Sequence, residues 1–266
     1  MLREYTMRLL VTADWHIKLG QRKVPRAWQA NRFHLLNAEL NKVACDAHVI
    51  AGDIFDSDTP DAEEIELYFE LVSEMEHDTI IFSGNHEAKT KNSGILHRLA
   101  AETNRCNPKV QVVFGGYRSE DFDIIDFFEL HKKWKPQQSK LLLTHVRAEL
   151  PAHMKSKPEI DLSKFDCYDL VIAGDLHSHQ MSQWTPGDKT PIIYPGSPLT
   201  TSFHRSIEDK ANGYITVDTE TLDWDWHELN HLPQLIRKKV TSVDDMVEDS
   251  FHRVVYELEG DLQSLG

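Results

Sequence analysis

Five short motifs in this chain combine carboxylate, imidazole and carboxamide side chains in a fixed order. Mixed Asp, His and Asn ligands suit borderline-hard divalent ions, and no cysteine thiolate belongs to the set. One carboxylate shared by two ions would hold them roughly 3.5–4 Å apart, the separation used in metal-assisted phosphoester hydrolysis. The set therefore predicts a site for two divalent cations. The motifs are Asp14-Trp15-His16, Gly52-Asp53, Gly84-Asn85-His86-Glu87, Thr144-His145 and Gly174-Asp175-Leu176-His177.

Each motif comes directly after a short apolar run that is typical of a buried strand. Amphipathic helical patterns lie between the first runs, at 26–44, 61–77 and 93–103. This alternation predicts an α/β domain in which the carboxyl ends of the strands converge on one crevice. A single motif of this kind usually serves as a turn or a cap, so the ordered set of five carries the prediction. The apolar runs before the motifs are 7–13, 48–51, 79–82, 140–143 and 170–173, and further strands are predicted at 110–114, 192–194 and 213–217.

The composition limits the classes of protein to which the chain can belong. With 266 residues, 40% of them hydrophobic, it is long enough for one large α/β domain or a domain with a small appendage. No apolar run approaches the roughly 18 residues that span a bilayer, and the N-terminus lacks a signal-peptide pattern, so we expect a cytoplasmic protein without membrane contact. The net charge of −14 opposes nucleic-acid binding, although bound cations would offset acidic ligands and a partner could supply positive charge.

Together the five motifs resemble the calcineurin-like metallophosphoesterases. Three longer segments resemble the SbcD-type nucleases within that superfamily: ADWHIKLG at 13–20, AGDIFD at 51–56 and IIYPGSPLTTSF at 192–203. The segment RVVYELEGDL at 253–262 resembles the first strand of the DNA-capping domain of those nucleases. The resemblance implies a four-layer α/β/β/α sandwich. It also implies a nuclease domain over 1–235, followed at 236–266 by a stub or the start of a C-terminal capping domain.

The resemblance assigns seven metal ligands and one further catalytic side chain. His86 would not bind metal but would stabilise the phosphorane or protonate the leaving oxygen, a role that imidazole suits near neutral pH. The attacking group would be a water activated by two divalent cations, with Mn²⁺ expected and Mg²⁺ as the alternative. The implied ligands are Asp14, His16 and His177 for one ion, Asn85, His145 and Asp175 for the other, and Asp53 as the bridge.

The fifth motif departs from the Gly-His-x-His pattern of the family, because Asp175 stands where that pattern has its first histidine. A carboxylate can also bind metal, and being harder than imidazole it favours Mn²⁺ or Mg²⁺ over Zn²⁺. Two divalent ions and three Asp carboxylates sum to +1, whereas two Asp carboxylates would leave +2. We expect Asp175 to bind metal; the alternative is that it points away and leaves the second site weak. His179 is a nearby spare imidazole, and Trp15 either lines the substrate path or packs beneath the site.

The function implied by the resemblance is a DNA nuclease in recombination, repair or replication. It would act as an exonuclease on duplex ends and an endonuclease on single strands. The implied partners are DNA, an SbcC-type ABC ATPase and a second copy of the chain, and the location would be the host cytoplasm if a phage encodes the protein. Two alternatives remain open at this stage. One is a phosphodiesterase or phosphatase for small substrates, and the other is a scaffold with weakened catalysis, for which Asp175 and the acidic charge are the indications.

Overall fold

A computed structural model describes residues 6–90, 93–134, 139–150, 156–203 and 212–259. These residues form sixteen strands, four α-helices and three short 3-10 helices. The strands are β1 (Arg8–Thr12), β2 (Ala47–Ala51), β3 (Thr79–Phe82), β4 (Ala88–Thr90), β5 (Ser93–Gly94), β6 (Val110–Val113), β7 (Gly116–Arg118), β8 (Asp123–Ile125), β9 (Leu141–His145), β10 (Leu170–Gly174), β11 (Gln183–Trp184), β12 (Pro191–Ile193), β13 (Gly213–Asp218), β14 (Trp224–Glu228), β15 (Leu235–Val240) and β16 (Arg253–Leu258). The helices are α1 (Arg26–Leu40), α2 (Ala62–Glu74), α3 (Ile95–Cys106) and α4 (Phe127–Leu130), and the 3-10 helices span Leu162–Phe165, His179–Met181 and Val243–Asp245.

Two six-stranded sheets form the centre of the molecule. The first has the order β14-β13-β1-β2-β3-β6, and β1, β2, β3 and β6 are parallel. The second has the order β11-β12-β10-β9-β8-β7, and β12, β10, β9 and β8 are parallel. Antiparallel strands lie at one edge of the first sheet, where β13 and β14 follow β1, and at both edges of the second, where β11 and β7 are the outer strands. All five motif-bearing strands (β1, β2, β3, β9 and β10) therefore belong to the parallel parts of the two sheets.

Alternate side chains along the strands enter different apolar cores, of which the described residues form three. Leu9 and Val11 of β1 belong to the core between the two sheets, whereas Leu10 faces the layer of α1, α2 and α3. The outer face of the second sheet packs against the 3-10 helix Leu162–Phe165 and the end of α4. Each large apolar side chain buried in these cores stabilises the fold by about 1.5–3 kcal/mol. Three cores between four layers confirm the predicted α/β/β/α sandwich.

Local sequence signals explain where the helices begin. The side chain of Asp61 accepts a hydrogen bond from the Glu64 amide at 3.0 Å, and the Glu64 side chain accepts one from the Asp61 amide at 3.0 Å. This reciprocal cap fixes the first turn of α2 and contributes about 1 kcal/mol. The predicted helices at 26–44 and 93–103 differ slightly from α1 and α3, which end at Leu40 and begin at Ile95.

The last described strands form a small sheet of their own. β15 and β16 are parallel and pair in register from Leu235↔Arg253 to Val240↔Leu258 in a separate two-stranded sheet. The division of the chain at residue 235 stays a prediction, and residues 260–266 of the predicted capping segment lie outside the described part. None of the described helices has the length and apolarity that a membrane crossing needs.

Candidate metal centre

Sharp turns at the strand ends bring the motif side chains together. Asp14, Asp53 and Asp175 follow β1, β2 and β10 within two residues. Their φ angles are 56°, 51° and 97°, and His16 has φ 49°, so all four adopt left-handed backbone. Such conformations are uncommon outside glycine and cost of order 1 kcal/mol or more each. The chain therefore leaves its sheets through strained turns that aim these side chains into one crevice.

Two glycines allow the loops to approach each other closely. Gly52 has φ +84°, and a Cβ at this position would collide with the ring of His145. A Cβ at Gly84 would collide with the carboxylate of Asp53. Any side chain at either position would therefore displace a candidate ligand.

The first cluster consists of Asp14, His16 and His177, whose ligand atoms all lie within 4.8 Å of one another. The Nε2 atoms of His16 and His177 are 3.0 Å apart, and His16 Nε2 is 4.0 Å from Asp14 Oδ1. Two imidazoles that bind neighbouring positions of one ion at about 2.0–2.1 Å would have their nitrogens about this far apart. The three residues assigned to one ion from sequence are therefore together in space.

The second cluster lies around His145, the last residue of β9. Its Nε2 is 3.4 Å from Asp53 Oδ2 and 3.9 Å from Asp175 Oδ1. Its Nδ1 is 2.9 Å from the Ala51 carbonyl and must donate to it, since a carbonyl only accepts. That hydrogen bond leaves the Nε2 lone pair directed at the cluster, as a metal-binding histidine requires.

Asn85 supplies a test of whether a cation fits this cluster. One terminal atom of its amide lies 2.9 Å from His145 Nε2, 3.1 Å from Asp175 Oδ1 and 3.2 Å from Asp53 Oδ2. If that atom is nitrogen, it donates hydrogen bonds to these acceptors. If it is oxygen, four acceptors converge on one point, which a cation would satisfy. The donor set of three oxygens and one imidazole nitrogen fits Mn²⁺ or Mg²⁺.

Asp53 lies between the two clusters. Its Oδ2 is 3.7 Å from His16 Nε2 on one side and 3.4 Å from His145 Nε2 on the other. Its Oδ1 accepts a hydrogen bond of 2.9 Å from the amide of His86. This carboxylate is therefore within reach of both positions, which is the arrangement that a bridging ligand needs.

His86 differs from the other motif residues because its side chain is 39% exposed. Its Nδ1 donates to the Asp56 carbonyl at 2.8 Å, which fixes the ring and directs Nε2 towards the crevice, 4.0 Å from Asp53 Oδ2. Its geometry also allows a group with His16 and Asp53 that could hold an ion. Of the predicted site residues, His86 is thus well placed to meet a substrate from solvent.

Burial and close contact shift the pKa values of these side chains in opposite directions. Burial raises the pKa of Asp14 well above its usual range. Burial would also raise the pKa of Asp53, but the adjacent His145 holds it well below its usual range. The pKa of His145 would fall on burial, but the carboxylate of Asp53 raises it well above its usual value. Buried carboxylates at this density need positive charge, which protonated imidazoles or bound cations can supply.

Two residues outside the predicted ligand set support the cluster. The buried carboxylate of Glu87 accepts hydrogen bonds from the amides of Asp53, Phe55 and Gly84 at 3.1, 2.8 and 2.8 Å. Burial raises its pKa to about 7. The Ser197 hydroxyl lies 2.5 Å from the Asp14 carbonyl. Glu87 closes the third motif, so its sequence position was a usable signal, whereas Ser197 is 183 residues from its partner.

The structure also gives the positions of Trp15 and His179. Trp15 is buried and its Nε1 donates to Thr12 Oγ1 at 2.9 Å, so it packs beneath the site and does not line the substrate path. His179 stacks on Trp226 with ring centroids 5.0 Å apart, and its Nδ1 donates to the Tyr194 carbonyl. Its contacts are therefore those of a packing residue.

Residues 7–181 match the family model of the calcineurin-like phosphoesterases, and this chain belongs to that family. It is therefore a metal-dependent phosphoesterase, as the motifs predicted. The chain is 50% identical to the "Probable exonuclease subunit 1" of Escherichia phage T5 over 97% of its own length and 80% of that relative. The SbcD subunits of two SbcCD nucleases also match, at 24% identity in Staphylococcus epidermidis, over 80% of this chain and 66% of that one, and at 22% in Staphylococcus saprophyticus, over 86% and 70%. The SbcD-type resemblance is thereby confirmed.

Proposed function

We propose that this chain is a DNA nuclease that hydrolyses phosphodiester bonds with the help of two divalent cations. One observation carries the proposal: candidate ligands from five strand ends converge in two adjoining clusters that share Asp53. The names of the relatives, an exonuclease subunit and a nuclease subunit, support DNA as the substrate. We further propose that residues 236–266 begin a capping segment, and that an SbcC-type ATPase and a second copy of the chain are partners.

The distances within each cluster support the ligand assignment that the family resemblance implies. The oxygen-rich second set makes Mn²⁺ the expected ion and Mg²⁺ the alternative. When bound, two such ions activate a water and polarise the phosphoryl oxygens. The first position would be held by Asp14, His16 and His177, the second by Asn85, His145 and Asp175, with Asp53 shared.

His86 would act as the general acid. Its Nδ1–H is committed to the Asp56 carbonyl, so the proton that it can transfer is on Nε2 of the imidazolium. As the water oxygen bonds to phosphorus, the P–O bond to the leaving nucleotide breaks. The Nε2 proton moves to that leaving oxygen, and the ring becomes neutral. The attacking water releases a proton to solvent, from which the ring can be protonated again. No covalent bond to the protein forms in this scheme.

The proposal is tested by cleavage of linear duplex and single-stranded DNA with Mn²⁺. We expect cleavage by the wild-type chain and a loss of about 10²–10⁴-fold in His86→Ala, the usual contribution of general acid catalysis. His34→Ala is the matched control, since His34 lies on α1 and pairs with Glu74 far from the motifs. Intact DNA at low salt with excess wild-type enzyme and either ion would contradict the nuclease proposal. Hydrolysis of a chromogenic bis-ester under those conditions would favour a small-substrate phosphodiesterase.

A further inference from the structure

Arg147 lies beside the second cluster, two residues after the candidate ligand His145. β9 and β10 pair in parallel with His145 opposite Gly174, and the amide of Val146 donates to the Gly174 carbonyl at 3.2 Å. The segment that carries Arg147 therefore runs alongside the segment that begins with Asp175. A basic residue thus lies on the segment that neighbours Asp175, the residue that departs from the family pattern.

The guanidinium of Arg147 is not used by the fold. Among the described residues it has no hydrogen-bond or ion-pair partner, and its Nε is buried without an acceptor. Glu159, the acid that contacts the backbone of Arg147, does not pair with its guanidinium. Its carboxylate accepts from the Arg147 amide at 3.3 Å and lies 3.2 Å from His131 Nε2. Because Arg147 is half-buried and its terminal nitrogens are not among the buried unpaired atoms, the fork remains open to solvent.

The charge of the site explains why a cation is useful at this position. With Asp175 as a ligand, two divalent ions and three Asp carboxylates sum to +1. Arg147 brings the local sum to +2, the value that the Gly-His-x-His pattern reaches without it.

We propose that Arg147 binds a phosphate of the DNA strand beside the second metal position and replaces the positive charge that Asp175 removes. The inference rests on the proposed nuclease function. A guanidinium presents several donors in a planar fork that matches two phosphate oxygens, so it can orient the strand as well as attract it. The positive charge of Arg147 then compensates for the negative charge of Asp175. The effect of replacing either residue should therefore depend on whether the other is present.

The first test is a double-mutant cycle on DNA cleavage. Arg147→Gln should lower kcat/KM about tenfold, mainly through KM, and Arg147→Lys should recover part of the loss because it keeps the charge without the fork. In the Asp175→His background, the same Arg147→Gln change should cost several-fold less, because that site already carries +2. Arg105→Gln is the matched control, since Arg105 is an exposed arginine on α3 paired with Glu102. An equal loss of kcat/KM in the wild-type and Asp175→His backgrounds would overturn the proposed charge compensation.

The second test does not depend on cleavage. Manganese binding to the metal-free protein is measured by calorimetry, and Arg147→Gln should bind Mn²⁺ several-fold more tightly, because a repelling cation has been removed. Arg105→Gln should leave the affinity unchanged. If wild-type protein cuts no DNA, the nuclease proposal fails while this measurement still tests Arg147. An Arg147→Gln protein that loses folding stability but keeps its manganese affinity and its KM for DNA would make the residue structural and overturn the inference.

Discussion

The candidate ligands depend on buried neighbours that do not bind metal. Glu87 joins two loops, because its carboxylate accepts hydrogen bonds from amides of the turn after β2 and of its own turn after β3. Ser197 holds the main chain of Asp14 in a similar way. These contacts fix the turns whose strained backbone directs Asp14 and Asp53 into the crevice. The positions of the ligands thus depend on these hydrogen-bonding neighbours as well as on the ligands themselves.

Replacing Glu87 with Gln tests this dependence. One carboxylate oxygen becomes an NH₂ group that faces an amide donor, so the loss of stability should be about 1–3 kcal/mol. Displacement of Asp53 should also weaken manganese binding, which calorimetry can measure beside urea unfolding. Glu66→Gln, an exposed change on α2, is the control. Unchanged manganese affinity in Glu87→Gln would show that the turn keeps its shape without the carboxylate.

At the scale of single residues, the sequence predicts the types of the ligands but not the residues that hold them in place. The motifs are local, so Asp14, His16 and their counterparts could be picked out by residue type and order. The supporting contacts join distant segments: Ser197 and Asp14 are 183 residues apart, and Glu87 and Asp53 are 34 apart. No spacing rule links such positions. Left-handed backbone at three aspartates was equally out of reach, because it follows from how the loops pack.

At the scale of elements, the prediction succeeded for the five motif-bearing strands and missed the short buried strand β8. β1, β2, β3, β9 and β10 were all found from apolar runs, which central parallel strands require. The edge strand β14, with the sequence WDWHE, is largely exposed and has no apolar run, and it was missed. A continuous apolar run also hides which side chains face which core. Leu9 and Leu10 look alike in sequence and enter different cores.

His48 makes the central strand β2 sensitive to acid. It is fully buried with Nε2 2.9 Å from Thr12 Oγ1, and burial lowers its pKa to about 3. Because the folded pKa lies below the unfolded value of 6.5, the unfolded chain takes up the proton first. The stability that neutral His48 allows is therefore present above pH 6.5 and is lost as pH falls towards 3, by about 1.4 kcal/mol per unit.

Urea unfolding between pH 7 and pH 5, with chelator present, measures this effect. The wild-type free energy of unfolding should fall by about 2 kcal/mol more than that of His48→Gln, whose side chain binds no proton. His34→Gln removes a partly exposed histidine of α1. Its free energy of unfolding should fall between pH 7 and pH 5 nearly as much as that of the wild type. Parallel pH profiles for wild-type and His48→Gln would contradict the assignment.

At the scale of the whole molecule, both sheets contribute to the metal centre. Asp14, His16, Asp53 and Asn85 follow strands of the first sheet, whereas His145, Asp175 and His177 come from the second. Bound ions should therefore stabilise the sandwich as a unit. At manganese concentrations 100 times the dissociation constant, the free energy of unfolding should rise by about 2.7 kcal/mol for each bound ion, relative to chelated protein.

Two histidine variants separate ligands from the proposed acid in that experiment. His145→Ala should lose the share of the manganese-dependent increase that belongs to the second ion, about half, because that position loses its imidazole. His86→Ala should keep the increase, since His86 is proposed to donate a proton and not to bind an ion. Loss of the increase in His86→Ala would instead assign His86 to the group that it forms with His16 and Asp53.

The hydrogen bond from His145 to Ala51 has a mechanical consequence. Each sheet is joined internally by its own backbone ladder, and this side-chain bond of 2.9 Å crosses from β9 of one to β2 of the other. Metal ions bound at the same end of the strands would link the two sheets to each other. Without them, we expect that end of the sandwich to open locally while the far end stays closed. Amide hydrogen exchange would then slow on metal addition at Ala51 and Gly174 and remain unchanged at Leu9 and Leu141.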